Sequence, residues 1–361
     1  MRPVLVAYVS GHGFGHFVRT SAVLAQVGSA QLHLRTNGRA FSLAPRAGWA
    51  ASLTEVDVGP GVIQRGPLES DLEATRAALE RYLRDWPRLV DEEAAFLRRV
   101  GARLVFADAP PLAFAAAAAA GIPSVAMTNF SWSWIYDGYA DRGPTFGEAA
   151  RLFQRAESQA TLLLELAGGG GLEHFAMRRP IAPVARPLTR TRAQIRAALP
   201  LFQKKARTFV LFSLGGFGQD RALELRGDAD HHLILTSIRL TEAPPYVSFV
   251  EPDPSIGHHE LVAAADCLIG KPGYGTVAEA LAQPTPFCWL SRGDFREQEP
   301  LARQLERWLP SAQLTLDDLA SGRWTEIVDR AIAMPSPAGR PAATGAAEAA
   351  AILQSLLGSI A

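Results

Sequence analysis

Two cysteines in 361 residues, Cys267 and Cys288, leave nothing from which to build a disulfide framework or a thiolate zinc site. Each lies in an apolar, strand-like run, so both are expected as buried free thiols, in keeping with a reducing cytoplasm. No apolar run is long enough to span a bilayer, and the opening Met1-Arg2-Pro3-Val4-Leu5-Val6-Ala7-Tyr8 enters a strand pattern with no signal-peptide cleavage region. A cytoplasmic chain without a transmembrane segment is the expectation. Net charge is absent too: 36 Lys and Arg balance 36 Asp and Glu, so no overall field draws the chain to nucleic acid.

Several motifs are missing as well. There is no Gly-x-x-x-x-Gly-Lys-Ser/Thr, so Lys271 is not a P-loop lysine. His231-His232 and His258-His259 lack the His-Glu-x-x-His spacing of a zinc hydrolase, and Asp228-Ala229-Asp230 lies in a polar turn, so no metal is expected. The strand at 31–36 runs into Arg35-Thr36-Asn37 without the acidic residue that would hold a nicotinamide ribose.

What is present is an apolar fraction of 48% and enough length for two α/β domains. Residues 4–9 read as a central parallel strand, which ends in Ser10-Gly11-His12-Gly13-Phe14-Gly15-His16 and leads into a helical pattern. His16 at the first turn of that helix feels the positive end of the dipole, which favours the neutral imidazole able to accept a proton. The alternative is a polar side chain that satisfies loop backbone. A charged helical pattern covers 70–100, as two helices or one kinked at Pro87, and further strands are expected at 104–107, 124–128 and 161–166. Directly after the strand at 124–128 comes Asn129-Phe130-Ser131-Trp132-Ser133-Trp134, where an open α/β sheet takes its ligands; Asn129, Trp132 and Trp134 are candidates for an acceptor pocket, or else packing residues.

The proline-rich stretch 178–187 reads as an extended interdomain linker, placing domains at 1–187 and 188–340 with a C-terminal amphipathic helix in 341–361. The second half repeats the first. A strand at 208–214 ends in Gly215-Gly216-Phe217-Gly218, and an apolar run at 266–269 ends in Gly270-Lys271-Pro272-Gly273-Tyr274-Gly275-Thr276 before a helix. Two glycine-rich turns at strand ends suit a diphosphate held by backbone N–H groups and a helix N-terminus. Thr276-x-x-Glu279 also fits a capping box, which would make Glu279 a structural residue rather than a ligand. After the strand at 286–290, the polar loop through Arg296, Glu297 and Gln298 offers donors and acceptors of the kind sugar hydroxyls need, or a solvated helix start.

Together these motifs resemble a GT-B glycosyltransferase: two Rossmann-like, doubly wound parallel sheets facing a central cleft. The resemblance is to the glycosyltransferase-like N-terminal domain of L-arabinokinases and its stand-alone bacterial relatives, and more distantly to MurG-type and UDP-glycosyltransferases. It rests on 10–16, on Thr128-Asn129-Phe130-Ser131-Trp132, and on 270–279 with Asp294-Phe295-Arg296-Glu297. No kinase half follows, so kinase activity is not expected.

The resemblance implies a transferase that takes a nucleotide-diphosphate sugar, UDP-linked, as substrate rather than cofactor. It assigns the donor ribose to Glu279 and the diphosphate to Gly273, Gly275 and Thr276, with Gly215 and Gly216 as a second phosphate-facing loop; Lys271, Tyr274 and, in the first turn, Gly13 and Gly15 are further nucleotide-sugar-binding candidates. Glu297 and Gln298 would hold sugar hydroxyls, with Arg296 a further nucleotide-sugar-binding candidate, and backbone at Val250 would read the base. His16 falls where plant-type relatives carry the catalytic base, which implies inversion. Its orienting aspartate has Asp108 as nearest candidate, although the spacing falls closer to Pro110 or Pro111. A nucleotide-sugar hydrolase or epimerase, or a binding protein without turnover, shares the fold expectation. Acceptor, peripheral membrane contact by the C-terminal helix, and oligomeric state stay open at this level.

Overall fold

The computed structural model describes residues 2–28, 30–43, 52–66, 68–215, 224–236, 240, 242–251, 256–291 and 293–359. The chain forms two compact units: Met1–Ile63, Ser70–Val184 and Thr344–Ala361 make the first, and Gln64–Glu69 with Ala185–Ala343 the second.

In chain order the strands are β1 (Val4–Val9), β2 (Gln31–Thr36), β3 (Ser52–Glu55), a short ribbon of β4 (Gln64–Gly66) and β5 (Glu69–Ser70), then β6 (Ala102–Asp108), β7 (Ser124–Thr128), β8 (Leu162–Glu165) and β9 (Arg178–Pro180). The first unit's sheet runs β3-β2-β1-β6-β7-β8-β9, with every neighbouring pair parallel. The second unit's sheet uses β10 (Thr208–Ser213), β11 (His231–Thr236), β12 (Val247–Phe249), β13 (Cys267–Gly270), β14 (Phe287–Leu290) and β15 (Ser311–Leu314), in the order β12-β11-β10-β13-β14-β15, again parallel throughout.

The sequence explains the layering. β1 is buried from Leu5 to Val9 and β10 along its whole length, because helices cover both faces of a parallel sheet and leave no polar side. In both sheets the chain steps outward from the first strand, then returns to its other side. The order therefore reverses between β1 and β6 and between β10 and β13, and ligands of such sheets bind outside the strand ends at that reversal.

Three details depart from or complete the sequence reading. Helix Leu72–Arg99 is one continuous element with Pro87 inside it; Asp71 caps it by accepting from Ala74 N–H, and Leu79, Tyr82, Trp86 and Leu89 form a buried stripe. The expected linker begins as structure: Arg178–Pro180 is strand β9, an edge position where a proline's missing N–H costs no ladder bond. Helix Gly345–Ser359 belongs to the first unit. Its Glu348 accepts from Ala182 N–H at 3.2 Å, and Gln354 Nε2 donates to Gln26 O at 3.3 Å.

Cys267 and Cys288 are buried free thiols on neighbouring strands. No described helix is long and apolar enough to cross a membrane.

Candidate active site

The first unit's site grows from one helix face. Helix Gly15–Leu24 places His16, Arg19 and Thr20 at i, i+3 and i+4, so all three side chains project from the same side. The turn feeding it needs Gly13, whose φ of +73° is left-handed. Facing that side is Asp108, the last residue of β6, on the other side of the sheet's reversal.

Asp108 is fully buried, and its oxygens are crowded with donors. Oδ1 lies 2.8 Å from His16 Nδ1 and 2.5 Å from Arg19 Nη2; Oδ2 accepts from Arg19 Nε at 2.7 Å and from Thr20 Oγ1 at 2.9 Å. Arg19 Nη1 donates to Asn129 Oδ1 at 2.9 Å, and Asn129 Nδ2 donates to Gly168 O at 3.3 Å. Burial alone would raise the Asp108 carboxyl, but Arg19, and after it His16, hold it down to about 2. The carboxylate therefore has no hydrogen to offer at neutral pH. An ionised carboxylate can only accept, so the 2.8 Å contact calls for a hydrogen on Nδ1; in a neutral imidazole the lone pair is then on Nε2. Backbone strain follows directly: Ala109 has a φ of +77°, unusual for a residue with a side chain, before the helix that opens at Pro111. Pro110 and Pro111 cannot orient a histidine; Asp108 reaches it from the strand end.

The other predicted residues of this unit have mixed settings. Trp132 is buried, edge-on to Phe130 and His12 and stacked on Tyr136. Trp134 is half-buried over the glycine run: a Cβ at Gly171 would lie 2.1 Å from Trp134 Cβ. Gly15 has open space beside it, with nothing within 4 Å of a Cβ built there.

In the second unit, Ser213 at the end of β10 pairs with Gly270 at the end of β13. Gly215 has a φ of +73°, and a Cβ on it would meet Lys271 Cε at 3.3 Å, so this turn and the buried Lys271 lie against each other. Gly216 lies outside the described residues. Helix Tyr274–Ala282 is capped by Gly273 in extended conformation, and a Cβ on Gly273 would meet nothing within 4 Å. Tyr274 is buried, whereas Gly275 and Thr276 are half-buried. The helix starts three residues earlier than the capping-box reading requires, because extended Gly273 takes the cap position. Thr276 is inside the first turn, and Glu279 is free of that duty.

Glu279 is buried and held from elsewhere. Oε1 accepts from Arg186 Nε at 3.1 Å and Nη2 at 2.7 Å; Oε2 lies 2.7 Å from His258 Nδ1, and His258 Nε2 lies 2.9 Å from Ser213 Oγ. Burial would raise this carboxyl, but Arg186 first, then His258, bring it to about 2. Of the roughly four lone-pair sites of a carboxylate, three are engaged, leaving one on Oε2. Among the remaining predicted residues, Val250 follows β12 and its N–H donates to Leu235 O at 3.0 Å. Glu297 is buried, Arg296 and Gln298 are half-buried, and Gln298 Nε2 donates to Ser291 Oγ at 3.1 Å. Among the described residues, no group of three or more His, Cys, Asp or Glu is arranged to hold a metal ion.

Sequence reasoning passed over Arg19, Thr20, Arg186, His258 and Ser213. Arg19 and Thr20 carried a usable signal, the i+3 and i+4 spacing from His16. Arg186 and His258 carried none, since they meet Glu279 across 93 and 21 residues.

Two parallel, doubly wound α/β sheets with loop clusters at both reversals define the GT-B glycosyltransferase fold, and solved glycosyltransferases share it along nearly the whole chain. MurG of Acinetobacter baumannii matches with a TM-score of 0.54 and 15% identity over 98% of this chain and 100% of that one. UGT89C1 of Arabidopsis thaliana, solved with UDP-L-rhamnose, matches with a TM-score of 0.60 and 11% identity over 99% of each chain. In sequence, the chain is 30% identical over 346 residues to the L-arabinokinase of Arabidopsis thaliana; the match covers 92% of this chain and 32% of that protein, about a third of its length. No protein-family model matches the chain.

Proposed function

We propose that the protein is a glycosyltransferase that moves a sugar from a UDP-sugar to an acceptor hydroxyl, with inversion at the anomeric carbon. The observation that carries this reading is the His16–Asp108 contact of 2.8 Å, which supports Nε2 as a proton acceptor in the first turn of helix Gly15–Leu24. In this scheme Nε2 takes the acceptor's proton as its oxygen attacks the anomeric carbon and the nucleoside diphosphate leaves. Asp108 would keep the ring oriented through Nδ1 as this happens. Backbone N–H groups at Gly215 and at the start of helix Tyr274–Ala282, together with Lys271, would take the developing diphosphate charge. Glu279 would accept one ribose hydroxyl on its remaining Oε2 site, and Glu297 and Gln298 would contact the sugar. UGT89C1 with its UDP-L-rhamnose supports the choice of donor class by analogy of fold. The chemistry proposed needs no metal ion.

The test is to incubate the purified protein with UDP- and dTDP-sugars, with and without alcohol acceptors, and measure nucleoside diphosphate release. Release that depends on an acceptor is the expected result. Release without one would replace the transferase by a hydrolase, and a sugar isomerised without release would indicate an epimerase.

A further inference from the structure

Arg19 stands in a relation to His16 that the pairing with Asp108 does not explain. Its Nη2 lies 3.1 Å from His16 Nδ1 while it donates to Asp108 Oδ1 at 2.5 Å, the same oxygen that lies 2.8 Å from Nδ1. Arg19 is 3% exposed; its guanidinium grips both oxygens of Asp108, while its remaining nitrogen is anchored on Asn129.

We infer that Arg19 is a positioning residue that keeps His16 in its neutral, Nδ1-protonated form, ready to accept a proton on Nε2. An aspartate alone beside a histidine stabilises the imidazolium as well as orienting the ring. Here the carboxylate's charge is already matched by the guanidinium, and protonating His16 would set a second positive charge beside the first in a buried site. The aspartate retains its orienting function while its pull on the proton is offset. Among the described residues, the charged groups in contact with the ring are Asp108 from the end of β6 and Arg19 from the ring's own helix. From the segment after β7 come neutral groups: the Asn129 amide through Arg19, and the Phe130 ring edge-on at 5.8 Å. His12, in the preceding turn, is turned edge-on to Trp132.

The inference deepens the reading of His16 as the base, but its test needs neither donor nor acceptor, so each can fail without the other. Histidine-selective 13C and 15N labelling, with His16 assigned through His16→Gln, gives its tautomer and titration midpoint in the intact protein. The wild type is expected to show neutral, Nδ1-protonated His16 at pH 7. Arg19→Gln should raise the midpoint by about one pH unit or more, a tenfold gain in proton affinity. Arg19→Lys, which keeps the charge but not the planar fork, should return it to within about a third of a unit of the wild type. The inference is overturned if wild-type His16 is an imidazolium or Nε2-protonated at pH 7, a result that requires no variant to fold. It is also overturned if Arg19→Gln leaves the midpoint in place, or if Arg19→Lys shifts it as far as Arg19→Gln does, since geometry rather than charge would then be responsible.

Discussion

Arg186 holds Glu279 by two hydrogen bonds to one oxygen, at 3.1 and 2.7 Å, although 93 residues separate them. The acid at the glycine-rich turn is therefore fixed before any ligand arrives: ionised, oriented, and with one acceptor site left. Such pre-orientation would lower the ordering cost of binding the ribose hydroxyl proposed for it.

Removing the guanidinium should leave a buried carboxylate with His258 as its main counter-group. Arg186→Gln is expected to cost about 2 kcal/mol in urea unfolding, below the roughly 3–5 kcal/mol of a fully buried pair because the Arg186 side chain is 29% exposed. The double variant Arg186→Gln with Glu279→Gln should recover part of that loss, and a double-mutant cycle that shows no coupling would contradict the ion pair.

Acid should destabilise the fold through the two buried carboxylates. Asp108 and Glu279 both have folded values lowered to about 2, below their unfolded values, so their contribution is full above about pH 4.5 and is lost as pH falls toward 2. Each contribution is on the order of 2 kcal/mol. Urea midpoints measured from pH 6 to pH 2.5 should drop steeply for the wild type and less for Asp108→Asn, whose side chain no longer titrates.

Turnover should depend on the histidine. With a donor and acceptor in hand, His16→Ala is expected to lower kcat by about two or more orders of magnitude while leaving nucleotide affinity within about threefold. A protein that only binds nucleotide sugars would show equal, negligible turnover in both forms.

Chelation should have no effect on the rate. In EDTA, and in EDTA followed by excess Mg2+, initial rates are expected to agree within about 20%, because backbone amides and Lys271 are assigned the leaving group's charge. A rate restored only by the cation would move that role to a metal ion.

The sequence made legible what is local. Continuous apolar runs ending in glycine turns gave β1, β10 and β13 as parallel strands with helices behind them, since a strand buried on both faces has no polar alternation to hide. His16 was readable from its place one residue into a helix. Asp108 was nameable as a strand-end residue, but its contact with His16 spans 92 residues and depends on β1 and β6 being neighbours. The same limit hid Arg186 and His258. The capping box failed for a different reason: an extended glycine can begin a helix without a side-chain cap, so Gly273 competed with Thr276 for the first position. Residues 178–180 looked like linker because proline and arginine carry no strand pattern, whereas an edge strand needs only one side paired.

The most direct test of the central claim is a thermal-shift titration of UDP, dTDP, GDP, ADP and NAD(P) against the wild type and Glu279→Gln. A ligand that binds only the folded state at about one hundred times its Kd adds about 2.7 kcal/mol to stability. The account predicts stabilisation by UDP, with a much smaller shift for Glu279→Gln. Stabilisation by NAD(P) alone, or by no nucleoside diphosphate at all, would contradict it.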